Sequence, residues 1–168
     1  ISERAGGSGR GGVRGCERHG SNAGLFSERV GGAAHNAARQ HASRARAQTG
    51  KQPLALFSGG ETNVALQPGS GRGGRNSEYL LALALAPGET SAWAIACDTD
   101  GIDGSEDNAG AILAPDTLAR AQAQGLSAAE RLAGHDSYGF FSALGDLVVT
   151  GPTRTNVNDY RVLLLGLA

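Results

Sequence analysis

Hydrophobic and polar positions divide the chain into three stretches. Residues 1–24 show no helical or strand period, with eight Gly, four Arg and almost nothing apolar. Such a segment buries too little surface to offset its ordering entropy, so disorder is expected. We place its boundary at residue 30, with a single domain over 31–168. Residues 33–48 are Ala-rich helix formers preceded by Gly31-Gly32 and ended by Thr49-Gly50. Polar residues ring this helix, which predicts a surface helix lying on a core of small side chains.

From Pro53 onward, strand and helix signals alternate. Strands are expected at 54–57, 63–66, 91–97, 146–150 and 160–167. Helices are expected at 76–86, 115–124, 127–132 and 138–144. Ser127 suits the N-cap of the third of these, and Asp136 or Ser137 that of the fourth. The apolar run Ser91–Cys97 suggests a sheet covered on both faces. The expectation is therefore an α/β fold: a mixed or mostly parallel sheet flanked by helices, in one domain behind a disordered N-terminal segment.

Composition narrows the class. The chain has 168 residues, 40% hydrophobic but only 5% aromatic, so its core is built from Ala, Leu and Val. No apolar run approaches the ~20 residues of a membrane span. Two cysteines give no disulfide framework. With no signal-peptide pattern, a cytoplasmic protein is expected. The absence of Met suggests a fragment lacking its start. Residues 1–51 hold nine Arg/Lys against three Glu, a net +6, whereas residues 52–168 hold six against thirteen acids, a net −7. A basic tail can bind RNA, but one Arg-Gly-Gly with no interleaved aromatic speaks against nucleic acid as a partner.

Four polar loops beside apolar segments carry the candidate chemistry. Ser58-Gly59-Gly60-Glu61-Thr62 lets backbone approach a ligand, or forms a tight turn. The loop from Gly69 to Asn76 opens a helix whose free amides attract a phosphate or carboxylate. Arg75 offers a planar fork there, and Asn76 suits an N-cap. Gly69, Gly71 and Gly74 also match G-x-G-x-x-G, with Asp98 downstream, although Pro68 and Arg72 fit a dinucleotide site poorly. Asp98, Asp100, Asp103, Glu106 and Asp107 fall within ten residues. They read as a Mg²⁺ site or as a solvated turn of Asx type. The spacing is not that of an EF-hand. Thr153, Asn156 and Asn158 belong to a fourth loop, dense in short hydrogen-bonding side chains. The four histidines show no metal-ligand spacing, and Cys97 reads as a core thiol.

Together the motifs SGGET, GRGGRNSE, DTDGIDGSEDNAGA and DSYGFF followed by LGDLVVTGPTRTNVND resemble, in this order, the MOFRL domain. That domain is the C-terminal half of the glycerate 2-kinase family, whose members often carry hydroxypyruvate reductase labels. The resemblance covers about Pro53–Leu165. It implies transfer of the ATP γ-phosphoryl group to D-glycerate in a cleft shared with an N-terminal α/β domain that supplies a Lys. On this chain it implies Arg75 and Asp98 as catalytic residues, and Mg²⁺ on Asp98, Asp100 and Asp103. Substrate or phosphate would lie against Gly59, Gly60, Glu61, Thr62, Gly73, Gly74, Arg75, Asn76, Thr153, Asn156 and Asn158.

Gly32-Ala33-Ala34 and Asn63 depart from the family pattern, and residues 1–24 do not resemble the N-terminal domain. An isolated chain of this kind is expected not to be a competent kinase. Two other readings stand beside it: an NAD(P)H-dependent hydroxypyruvate reductase, and a non-catalytic binding module.

Overall fold

The computed structural model describes residues 33–48, 54–61, 64, 69–86 and 92–166. The expected disordered segment 1–30 lies outside these residues, as does the expected strand 63–66 apart from Val64. The element order is α1 (Ala33–Gln48), β1 (Leu54–Gly60), α2 (Arg75–Ala84), β2 (Ala92–Asp98), β3 (Gly110–Leu113), α3 (Thr117–Ala123), α4 (Ala128–Ala133), α5 (Ser137–Leu144), β4 (Leu147–Val148) and β5 (Asp159–Leu165).

Local signals placed most of these elements. Ser127 Oγ accepts a hydrogen bond from the Glu130 amide at the start of α4, and the Asp136 carboxylate accepts from the Gly139 amide at the start of α5. Gly145 ends α5 in the left-handed conformation at φ 74°.

The sheet has five strands in the order β1-β5-β2-β3-β4, and every neighbouring pair is antiparallel. This corrects the expected mixed or mostly parallel sheet. The overlooked element is β3, four residues that begin with Gly. Residues 99–109 hold no helix, so β2 turns straight back into β3. A parallel pairing would need a crossover of a dozen or more residues, usually helical. The last strand, β5, inserts between β1 and β2 and opposes both.

Nor are both sheet faces covered among the described residues. Burial alternates along β2: Ala92, Ala94 and Ala96 face the helices, whereas Trp93 is exposed. Phe57, Val162, Ile95 and Ile112 are register partners across four strands on that second face. Three of them are at least partly exposed, with Phe57 at 45% and Ile112 at 39%.

Helix α2 is the centre of the covered side. All of it from Asn76 to Ala84 is buried. A helix apolar nearly all round belongs in the middle of a core. Its Leu80, Leu81 and Leu83 share one buried cluster with Phe140 and Phe141 of α5 and Leu163 of β5. Ala34, Ala38 and Ala42 form one i, i+4 row on α1 with no exposed surface, which lets α1 lie close against α2. No described helix is long and apolar enough to cross a membrane.

Candidate functional site

The site is built where β2 ends, β5 begins and α2 starts. Asp98 closes β2 and Asp159 opens β5, and the two are register partners. Gly60, the last residue of β1, is in register with Asp159 on its other side. Two carboxylates side by side repel each other. The Arg75 guanidinium offsets this: Nε donates to Asp159 Oδ1 at 2.8 Å and Nη2 to Asp98 Oδ2 at 2.5 Å. Asp159 also accepts from Asn76 Nδ2 at 2.9 Å and, through Oδ2, from Arg161. Arg161 in turn lies over the Tyr79 ring, 5.2 Å from its centroid.

Burial pushes the Asp98 carboxyl above its ordinary range. The Asp100 amide and the Arg75 charge pull the other way, while the charges of Asp100 and Asp159 add to the rise. Burial acts to lower Arg75. The hydrogen bond to Asp159 and the charges of Asp159, Asp98 and Glu61 outweigh it, so its pKa rises. Glu61, exposed just beyond β1, thus faces the same guanidinium. Thr62 lies outside the described residues.

The amides that open α2 are already occupied. Asp103 Oδ1 accepts from the Asn76 amide at 2.9 Å, and Oδ2 accepts from the Ser77 amide at 2.9 Å and from Ser77 Oγ at 2.8 Å. Asp103 is fully buried, which pushes its carboxyl up against the pull of these three donors. The helix therefore begins at Arg75 with Gly74 as N-cap, not with Asn76 as expected. Asn76 sits inside the first turn, where its Oδ1 is buried without a partner among the described residues.

The glycines of this loop serve close packing. A Cβ on Gly74 would overlap Asp103, one on Gly73 would overlap Ser137, and one on Gly71 would come within 2.9 Å of the Asp136 backbone. Arg72, meanwhile, stacks on Tyr138 at 4.2 Å and pairs with Glu106. Nothing in this arrangement leaves an open cradle for a pyrophosphate.

The acidic loop is a chain of Asx turns. Asp98 Oδ1 accepts from the Asp100 amide at 3.2 Å, and Asp100 Oδ1 accepts from the Ile102 amide at 2.9 Å. With Asp98 Oδ2 on Arg75 and both Asp103 oxygens on α2, the three carboxylates do not converge. No group of three or more His, Cys, Asp or Glu side chains among the described residues is arranged to hold a metal ion. The donor set expected for Mg²⁺ does not fit one.

The fourth loop is zipped to the acidic one. The Thr153 amide donates to the Asp100 carbonyl at 2.9 Å, and Thr153 Oγ1 donates to the Thr99 carbonyl at 2.5 Å. Asn158, in the left-handed region at φ 67°, presents its carbonyl to Thr99. Asn156 Oδ1 accepts from the Asn158 amide at 3.1 Å. These contacts bring Thr153, Asn156 and Asn158 to the loop that follows Asp98. At Gly59 a Cβ would sit 3.3 Å from the Asp159 carbonyl, and Gly60 turns the chain at φ 104°.

Sequence reasoning missed several polar groups. Asp159 and Arg161 share the covered face of β5 with Leu163 and Leu165 at every second position, so charges at inward strand positions were the available signal. Glu78, only 2% exposed, takes both His35 Nε2 at 2.9 Å and His135 Nδ1 at 2.8 Å on one oxygen. An acid within the apolar run of α2 called for such partners. The histidines come from α1 and from the turn between α4 and α5, and spacing along the chain could not pair them.

The fold and site thus define an α/β domain whose strand-end loops gather on one arginine. The chain matches the MOFRL family over residues 54–159. It is 57% identical over 116 residues to an Agrobacterium vitis protein named provisionally as a hydroxypyruvate reductase, covering 68% of this chain and 26% of that protein. It is 42% identical over 118 residues to the D-glycerate 2-kinase of Thermotoga maritima, covering 70% and 27%. The crystal structure of Thermotoga maritima glycerate kinase superposes with a TM-score of 0.73 at 38% identity, covering 79% of this chain and 33% of that one. This chain belongs to the MOFRL family. It spans about a quarter of the length of these two curated relatives, 26% and 27%.

Proposed function

We propose that this chain supplies the anion-binding side of a D-glycerate 2-kinase, with ATP as phosphoryl donor and with nucleotide-binding groups from another domain. The carrying observation is the state of Arg75. Asp159 and Asp98 take its Nε/Nη2 edge, while Nη1 has no hydrogen-bond partner among the described residues. A guanidinium anchored on one edge and partly exposed on the other offers a preset fork to a carboxylate or phosphoryl group. Phosphoryl transfer depends on such positioning and charge neutralisation.

In this reading Arg75 holds the anion. The glycerate 2-hydroxyl oxygen attacks the γ-phosphorus as the bond to the β-phosphate oxygen breaks, and Asp98 accepts the hydroxyl proton. Gly59, Gly60 and Glu61 would wall one side of the substrate, and Asn156 and Asn158 the other. Gly73, Gly74, Asn76 and Thr153 act from behind, holding the loops in place. The kinship with glycerate kinases supports this substrate class.

Among the described residues the reductase reading finds no dinucleotide site, because Asp103 fills the helix amides and the glycines are packed. The binding-module reading rests on a basic tail outside the described residues. Calorimetric titration of D-glycerate into the parent and into Arg75→Ala tests the proposal. Binding in the parent that the substitution abolishes supports it, and equal heats in both overturn it. The isolated chain is expected to show no turnover in a coupled ATP assay. NADH consumption with hydroxypyruvate would favour the reductase.

A further inference from the structure

We infer that Asp103 is a positioning residue for Arg75, an assignment that rests on Arg75 being the anion-binding group. One loop grips the first turn of α2 in two ways. Asp98, at the start of the loop, holds the Arg75 side chain at 2.5 Å. Asp103, five residues on, holds the backbone of the two residues that follow Arg75 through amide bonds of 2.9 Å. The direction of a helical side chain is set by the helix it leaves. Fixing the amides of residues 76 and 77 therefore aims the guanidinium at the gap between Asp98 and Asp159.

The fit is tight. Asp103 is fully buried, and Gly74 has no room for a Cβ against it. Ser77 Oγ adds a third donor and accepts in turn from Ser137 Oγ at 3.0 Å, tying the same point to α5. A carboxylate of the chain itself thus occupies the helix terminus. The substrate anion is left to the guanidinium.

The test is nitrogen–proton NMR of the arginine Nε–H groups in the full chain. Arg75→Lys assigns the Arg75 signal by its loss. Arg120, held by Asp116 and Asp146 on the other side of the molecule, is the control. In Asp103→Asn the Arg75 signal is expected to broaden or move toward that of free arginine while the Arg120 signal stays. D-glycerate affinity should fall by at least about tenfold. An unmoved Arg75 signal in folded Asp103→Asn overturns the inference.

If Asp103→Asn does not fold, Ser77→Ala removes only one of the three donors. It should give a smaller shift of the same signal, and no shift overturns the inference. Glycerate titrated into the parent separates the two claims. Absence of binding there sinks the proposed function, whereas the response of the Arg75 signal to Asp103 still decides the positioning role.

Discussion

Asp98 and Asp159 stand opposite each other across β2 and β5, and the Arg75 guanidinium joins them. Both acids are buried. Removing Arg75 leaves the buried Asp98 without its cation beside Asp159, which Arg161 still holds, a change that costs about 3 kcal/mol or more. Arg75→Ala should therefore lower the urea-unfolding free energy by about that amount. Arg72→Ala breaks an exposed, solvent-screened pair with Glu106 and should cost far less. Equal losses in the two variants would contradict this ranking.

The raised Asp98 carboxyl has a pH signature. Its folded value lies above the ordinary 3.8, so between the two the folded chain binds more protons than the unfolded one. Stability contributed by this group is largest in acid and falls as pH rises through its folded value. Asp98→Asn removes the titration. The stability of Asp98→Asn relative to the parent should therefore rise from pH 4 toward pH 7 in urea unfolding. The opposite slope would show a carboxyl held below its ordinary range.

Glu78 joins α1 to the α4–α5 turn through His35 and His135. Each histidine-to-alanine change should cost about 1–2 kcal/mol. Because both share one carboxyl oxygen, the double variant should depart from additivity by about 0.5 kcal/mol or more. Glu78→Ala, which strands both imidazoles, should cost more than either single change. A thermal-unfolding double-mutant cycle decides, and strict additivity would argue against a shared clasp.

At Gly110 a Cβ would overlap the Ala96 backbone across the β2–β3 pairing. Backbone cannot step aside as a flexible side chain can. Gly110→Ala should destabilise by about 3 kcal/mol. Gly125→Ala meets open space but carries a left-handed φ of 70°, and should cost about 1 kcal/mol. Urea midpoints for the pair separate collision from conformational strain.

The acidic loop spends its oxygens on its own amides, on Arg75 and on α2. Millimolar Mg²⁺ should therefore leave the thermal midpoint of this chain within about 1 °C of its value in chelator. A concentration-dependent rise, lost in Asp100→Asn, would show a metal site that the resting loop does not display.

What the sequence disclosed was local. Ser127 and Asp136 announced their helices because caps act within one turn. Asp98 and Arg75 stood out because they end an apolar strand and open a helix. Topology was hidden by β3, too short and too glycine-led to show a period. The partners of Arg75 and Glu78 were hidden by distance along the chain. Asp159 is 84 residues from Arg75, and His35 and His135 lie on either side of Glu78 by 43 and 57. Register brings Asp159 to Asp98, and only the folded sheet fixes register. Asp103 was misread for a related reason: a carboxylate that caps a helix from another loop looks, in sequence, like one more acid in a metal-binding run.

The sheet face that no described helix covers carries the only tryptophan of the chain. Trp93 is 46% exposed near the start of the central strand β2, opposite Leu164, its register partner on β5. Its indole is thus an optical probe already installed on that face. Emission from the free chain should be that of a water-contacting indole, and any surface that settles over the sheet will shift it toward the blue.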